Sequence, residues 1–443
     1  MPTVRQPVER PSSASARLYR EAVQYLPGGT SRIHYWFDPY PIYARSGKGS
    51  RLTDIDGVER IDLLNNMTSL IHGHAYPAIN AAITAQLERG TAWSEPGEAE
   101  VELAKLIVSR VKSVAQIRFG NSGTESVMLG VKLAREFTGR DRIGKFEGFY
   151  HGYYDYVQTS VRSAPDAWGP PDAPATTANS GGLSSSVLGE VVTFPFNDLT
   201  AIERLLAHHG KTLACFLVDP LASQSGGPVP APGFLDSLTE LCRRHGVLLL
   251  YDEVVSFRLA PGGGQEKYGG TPDLTAFGKI IGGGLPIGAI GGRLDVMGLL
   301  DPSRGGPRVL SGGTFSGNPL SMVAGLAALR LLTPEEFTRL DRLGARIREG
   351  VNRVFADAGE RIRMAGEGSL CRLNPTAEVV RDYRSFVRNA VSAGRMGLLH
   401  RHLLDEGVIV SKGGMACLST PMDDAEIDQC VAAFKRAVAK LPR

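Results

Sequence analysis

Leu248-Leu-Leu-Tyr-Asp252-Glu-Val254, followed by Gly278-Lys279-Ile-Ile-Gly-Gly-Gly284, decides how this chain is read. The first stretch is a short apolar run ending in an acid, the pattern of a strand buried on both faces with a carboxylate at its carboxyl end. A carboxylate in that position must be paired, and a ring N–H cation is one such partner. The second stretch follows the strand-like Leu274–Phe277 and sets a lone lysine against glycines, where bare backbone permits close approach of a ligand. An amine in an apolar, glycine-lined pocket has a lowered pKa, which favours the nucleophilic free base. The competing readings are a turn cap for Asp252 and a surface position for Lys279.

Outward from this pair, apolar runs alternate with helical patterns. Strands are expected at Gln116–Phe119, Arg142–Phe146, Val191–Phe194, Leu213–Val218 and Val247–Tyr251, with helices at Glu125–Phe137, Leu199–His208 and Pro232–His245. That alternation implies an α/β fold with a largely parallel sheet covered on both faces. Upstream, residues to about Ser15 read as a polar arm and Ala16–Tyr25 as a short helix ended by Pro27-Gly-Gly29. Arg51–Leu64 reads as a hairpin turning at Asp54-Ile-Asp-Gly57, and Pro77–Arg89 and Glu98–Val111 as amphipathic helices. Helices are expected at Leu320–Leu332 and from Pro334 to Ala358, with a separate α+β lobe from about Glu360 to Arg443, packed with the N-terminal segment. Ser163–Ser186, rich in Pro, Ala, Ser and Gly, is the longest stretch without a periodic pattern, and is expected to be disordered or a functional lid.

At 443 residues the chain is too long for one small core. Net charge is only +3 with Lys and Arg scattered, which gives nucleic acid and anionic membranes no electrostatic support. Five widely spaced cysteines without a C-x-x-C pair suggest neither a disulfide framework nor a metal site. With no signal-peptide pattern and no membrane-span run, a soluble cytoplasmic protein is expected.

Three further motifs bear on chemistry. Asn121-Ser122-Gly123-Thr124-Glu125 opens a helix after a strand, so its free backbone N–H groups and hydroxyls suit a phosphate, although a plain N-cap reads the same way. Glu147-Gly-Phe-Tyr150-His151-Gly152 puts aromatics at a strand-to-loop junction. There Tyr150 can lie flat on a planar group that His151 helps to position, with Val254 on the opposite face, or Tyr150 can simply fill core. Gly312-Gly-Thr314-Phe-Ser-Gly-Asn-Pro319 places a hydroxyl among glycines, suited to a second phosphate contact or to a turn.

The order of cradle, aromatic, Asp, Lys and glycine-hydroxyl loop resembles that of the class III aminotransferases, pyridoxal 5'-phosphate enzymes of fold type I. The resemblance runs from Pro27-Gly-Gly29 through Leu70-Ile-His-Gly-His74-Ala-Tyr-Pro77 to Asn318-Pro319. It implies a large domain with a mostly parallel, seven-stranded-type sheet and a small α+β domain built from both chain ends. Residues 1–80 would give the arm and part of the small domain, 81–330 the large domain, and 331–443 the rest of the small one. It also implies Lys279 as the Schiff-base lysine, Asp252 as partner of the ring nitrogen, and Tyr150 and Val254 as the ring's flanks. Ser122, Gly123 and Thr124 would hold the phosphate, and Thr314 would reach the phosphate of a neighbouring subunit. A homodimer with active sites at the interface would follow, with an amino donor and a keto-acid acceptor as small-molecule partners and no metal.

Within that class the chain is most similar to glutamate-1-semialdehyde aminomutases and β-amino acid (β-phenylalanine-type) aminotransferases, on Phe146–Gly152, Gln265-Glu-Lys-Tyr-Gly269 and Thr271-Pro-Asp-Leu-Thr275 through Gly292. It departs from the aminomutase pattern at Asn66-Met67-Thr68, where that pattern has a Trp. A second departure is Val410-Ser-Lys412-Gly-Gly-Met415, which has neither the aminomutase Glu nor the Arg of the β-phenylalanine type. Arg32 matches the N-terminal arginine that the β-amino acid group uses for substrate carboxylate, and the loop after Val255 has that group's length. The expected activity is ping-pong transamination from a β-amino acid type donor to a 2-keto acid, with the aminomutase reaction and a racemase as alternatives.

Overall fold

The computed structural model describes residues 13–303, 305–388 and 390–442. The polar arm expected at the N-terminus falls, over residues 1–12, outside the described residues. The first described helix is Ala14–Ala22, capped by Ser13, and it stops three residues short of the expected end.

Strands are numbered along the chain. β1 (Ala44–Lys48), β2 (Arg51–Asp54) and β3 (Glu59–Asp62) form an antiparallel meander. The expected hairpin is its second half. β1 escapes sequence detection because Ala-Arg-Ser-Gly-Lys lacks strand-like alternation and lies largely exposed.

β4 (Gln116–Gly120), β5 (Arg142–Phe146), β6 (Val191–Phe194), β7 (Leu213–Val218), β8 (Leu248–Asp252), β9 (Leu274–Gly278) and β10 (Gly288–Gly292) form a seven-stranded sheet. Its order is β4-β10-β9-β8-β7-β5-β6, with every neighbouring pair from β9 to β6 parallel and β10 antiparallel to both β9 and β4. β10, Gly-Ala-Ile-Gly-Gly, has too little side chain to announce itself as a strand. Small residues are required there, since a Cβ on Gly288 would come within 2.0 Å of the Ser122 carbonyl oxygen.

β7 and β8 are buried along their whole length, as continuous apolar runs predict for central strands. Side chains alternate across the sheet. Leu248 and Leu250 pack with Val127 and Val131 of the helix Gly123–Thr138, while Leu249 and Tyr251 pack with Leu235 and Leu238 of the helix Phe234–His245. By the same alternation Asp252 points to the side of the first helix. β4 runs in the sense of the parallel strands, so the residues that follow β4, β5, β7, β8 and β9 all emerge at one edge of the sheet. In an open α/β sheet that edge is where ligands bind.

Toward the C-terminus, β11 (Arg363–Ala365), β12 (Leu370–Asn374), β13 (Val408–Ile409) and β14 (Met415–Cys417) complete the strands. β11-β12-β14 make a small antiparallel sheet, while β13 pairs in parallel with β3 and so joins the two chain ends in one sheet. The helices Pro334–Asp357 and Asp424–Ala439 cover this end, and one continuous apolar cluster links Leu340, Ile347 and Phe434 to Leu103, Phe277 and Ile281.

Segment 163–186 is tied down. It holds a short turn at Pro165–Ala167 and ends in the helix Ser185–Gly189. Arg384 forms a bidentate, buried ion pair with Glu147 and donates to the carbonyls of Trp168, Gly169 and Pro170. Among the described residues no helix is long and apolar enough to cross a membrane.

Candidate active site

The helix Gly123–Thr138 begins one residue beyond the sheet edge. Ser122 caps it, its Oγ accepting from Glu125 N at 3.2 Å, while the Glu125 carboxylate reaches back to Asn121 N at 2.5 Å. This reciprocal pairing fixes the entry of the helix and leaves the N–H groups of its first turn pointing outward with the positive end of its dipole. A Cβ on Gly123 would meet Val254 Cγ2 at 2.7 Å, so the glycine lets Val254 sit directly beneath the first turn. Thr124 Oγ1 stands beside Gly152 and accepts from Tyr153 N at 3.4 Å, which joins the cradle to the Tyr150 loop.

Asp252 closes β8 and is 6% exposed. Its Oδ1 accepts from Val254 N at 3.1 Å, and its Oδ2 pairs with His151 Nδ1 at 2.9 Å. Burial pushes the His151 imidazole down despite this carboxylate, so the ring is neutral and Nδ1–H is the donor. His151 Nε2 is buried without a partner. Tyr150 stands at the entrance, 37% exposed, its phenol raised first by burial and then by Asp252.

β8 and β9 pair Asp252 with Ala276, which brings the ends of the two strands level and places Lys279 three residues further along. Lys279 has φ +51°, a left-handed conformation that costs a non-glycine residue about 1 kcal/mol. Sequence reading had no signal for this strain. Burial lowers the Lys279 amine, with Arg258 adding to the effect and Asp252 and Asp219 opposing it.

Asp219, just past the end of β7, is a further acid beside the site. It is buried, accepts from Leu221 N and Ser223 N, and is raised to about 7 by burial and by the neighbouring Asp252. Its signal in the sequence was its place after the apolar run of β7.

The structure thus gathers Ser122, Gly123, Thr124, Tyr150, Asp252, Val254 and Lys279 at one sheet edge. Thr314 stands apart. It is exposed in a depression of about 130 Å³ lined by Trp93, Glu95 and Glu100, on a loop whose Gly313 lies near Asn121.

Arg32 lies with Lys412 on a separate cavity of about 540 Å³ between the N-terminal segment and the Val410–Lys412 strand end. Lys279 does not line it, whereas Gly284, at the end of the glycine run after Lys279, does. Arg32 Nη1 donates to Asn66 Oδ1 at 2.9 Å, Tyr35 OH donates to the same oxygen at 3.0 Å, and the guanidinium stacks 4.2 Å from the Tyr35 ring centroid. Lys412 Nζ lies 5.2 Å from the Trp36 ring centroid. Asn66 belongs to a run of four left-handed residues, Asn65, Asn66, Met67 and Thr68, with φ from 47° to 71°. Such a run is costly for L-residues.

Class III aminotransferases use pyridoxal 5'-phosphate, and this site fits that group. The buried Asp252 suits a protonated ring nitrogen, the open first turn suits a phosphate, and Lys279 is a buried amine. Comparison with known proteins agrees. The family model for aminotransferase class-III matches residues 34–438. The chain is 38% identical to a glutamate-1-semialdehyde 2,1-aminomutase of Methanothermobacter thermautotrophicus over 430 residues, covering 96% of this chain and 99% of the relative. Among solved structures, an omega-transaminase from Sphaerobacter thermophilus superposes with TM-score 0.94 at 45% identity, covering 97% of this chain and 98% of that one. A β-phenylalanine aminotransferase from Variovorax paradoxus superposes with TM-score 0.85 at 35% identity, covering 97% and 95%. The chain is an enzyme of the class III aminotransferase family.

Proposed function

We propose that this enzyme moves an amino group from a β-amino acid type donor to a 2-keto acid. The observation that carries this reading is Arg32, held by Asn66 and Tyr35 on the wall of the 540 Å³ cavity. A guanidinium fixed in this way offers a fork matched to a carboxylate. The transaminase relatives at 45% and 35% identity support it.

When bound, pyridoxal phosphate supplies the electron sink and carries the amino group between the two half-reactions. Lys279 would move the proton at the substrate carbon bearing nitrogen, a task for which its lowered pKa suits it. Asp252 would hold the ring nitrogen protonated, and His151 fixes the carboxylate for that contact. Ser122, Gly123 and Thr124 would hold the phosphate, Tyr150 and Val254 would flank the ring, and Arg32 would orient the donor's carboxylate. Thr314 acts on the active site of a second copy, so the working form is a homodimer.

The test is a half-reaction with each of a panel of β-amino acids, read by the cofactor's own visible absorbance. Bleaching by β-amino acids is expected, and no response to any of them would sink the donor assignment. The aminomutase reaction is the second reading, favoured by the 38% identical relative. It predicts rescue of a strain unable to make 5-aminolevulinate, which the β-amino acid reading does not.

A further inference from the structure

A run of left-handed L-residues such as Asn65–Thr68 persists only when its surroundings hold it. Two of its own polar atoms, Asn65 Oδ1 and Thr68 Oγ1, are buried without a hydrogen-bond partner and do not hold it. One end is pinned by Asn65 Nδ2, which donates to the carbonyls of Asp62 at 2.9 Å and Cys417 at 3.1 Å. The other end is pinned by Arg258, whose Nη1 donates to Thr68 O at 2.9 Å. Between the two pins stands Asn66, half-buried, whose Oδ1 accepts the bonds from Arg32 and Tyr35.

Arg258 comes from the cofactor side of the site. It lies in the turn Ser256–Leu259, which follows Asp252, and is 1% exposed. Besides Thr68 it donates from Nε to Ser369 Oγ at 2.9 Å and from Nη2 to Leu418 O. Ser369 precedes β12 and Leu418 follows β14, and the two are joined by Leu418 N donating to Ser369 O at 2.8 Å. None of the three bonds of Arg258 is to a carboxylate. Its planar fork therefore ties three separate chain segments to the turn after Asp252. A lysine, with one compact charge on a flexible stem, does not reproduce that geometry.

We propose that Arg258 is a positioning residue for substrate recognition. By holding Thr68 O from the turn that follows Asp252, it sets the place of Asn66 and, through Asn66, of the Arg32 guanidinium. Recognition of the substrate carboxylate is thereby registered against the strand that carries the cofactor's acid. The inference rests on Arg32 as the carboxylate site of the proposed function, but not on the identity of the donor.

The test uses 3-phenylpropionate, a carboxylate with no amino or keto group to react, titrated into the holoenzyme by calorimetry. Arg258→Lys keeps the charge but not the fork, and is expected to weaken binding about tenfold, because a slightly displaced guanidinium meets the carboxylate poorly. Arg32→Ala should weaken binding at least as much. Arg258→Lys added to Arg32→Ala should weaken it no further, since its effect runs through that guanidinium. Ser369→Ala removes a single hydroxyl contact and folds even if the buried arginine substitution does not. It should weaken binding about threefold, again only while Arg32 is present. In turnover, Arg258→Lys should raise KM for the donor about tenfold and leave kcat within about twofold, a split that a general loosening of the fold would not give. Unchanged binding in Arg258→Lys, or in Ser369→Ala where Arg258→Lys does not fold, would overturn the positioning role. A loss that persists in the Arg32→Ala background would overturn it too, leaving Arg258 as a support of the fold alone. No binding of 3-phenylpropionate by the parent enzyme would remove Arg32 as the carboxylate site, and this inference with it. If β-amino acids fail to bleach the cofactor while the coupling to Arg32 appears as expected, the donor assignment falls and the positioning role stands.

Discussion

At the scale of single residues, the site depends on a short chain of contacts behind Asp252. His151 is fully enclosed, neutral, and hydrogen-bonded to the carboxylate it positions. Replacing it by Phe keeps the volume and removes one bond to a charged group. A fall in kcat of about 10- to 100-fold is expected, with KM for the donor changed little. Equal turnover in His151→Phe would show that Val254 N alone holds the carboxylate. Lys145 makes a separate prediction. It is buried beneath the same sheet edge, donates to Thr159 O at 2.6 Å, and is lowered to about 7 from 10.5, chiefly by burial. Between those two values the unfolded chain binds one more proton than the folded one, so this residue makes stability rise with pH. The slope is about 1.4 kcal/mol per pH unit, and the destabilisation is full below pH 7. Unfolding of the parent protein and of Lys145→Met, followed across this range, should differ by that slope. Parallel curves would contradict a neutral native amine.

At the scale of elements, the central strands, their helices and the cradle were legible, because each is a long periodic segment or an apolar run with a clear cap. What escaped had little side chain to read. β10 is mostly glycine, β1 is an exposed strand without alternation, and β13 is two residues that count only because β3 lies beside them. The left-handed run Asn65–Thr68 also gave no signal beyond its departure from a family pattern. It has a testable consequence. Asn66→Gly relieves left-handed strain of about 1 kcal/mol but drops the bonds from Arg32 and Tyr35. The thermal midpoint should therefore move little while KM for the donor rises about tenfold. A lower midpoint with unchanged KM would mean that Asn66 serves only the fold.

At the scale of the whole molecule, seven of the eight cofactor-binding candidates meet at one sheet edge because parallel strands deliver their carboxyl ends there, which makes that part of the site readable from strand order alone. Lys279, Asp252 and the Ser122–Thr124 turn needed no tertiary knowledge. Thr314 is exposed in its own chain, so its proposed action belongs to an assembly. Mixing Lys279→Ala with Thr314→Trp protein tests this. If Thr314 acts across the interface, mixed dimers hold one intact site, and activity returns where each variant alone has almost none. Silence in the mixture would place Thr314 in its own chain's site or outside any.

The central claim is that Lys279 is the amine that carries the cofactor, and reduction of the holoenzyme with borohydride followed by peptide mass spectrometry tests it most directly. The phosphopyridoxyl group should be found on the peptide containing Lys279 and be absent from Lys279→Ala. Its appearance on another lysine, such as the buried Lys145, or on none, would contradict the account.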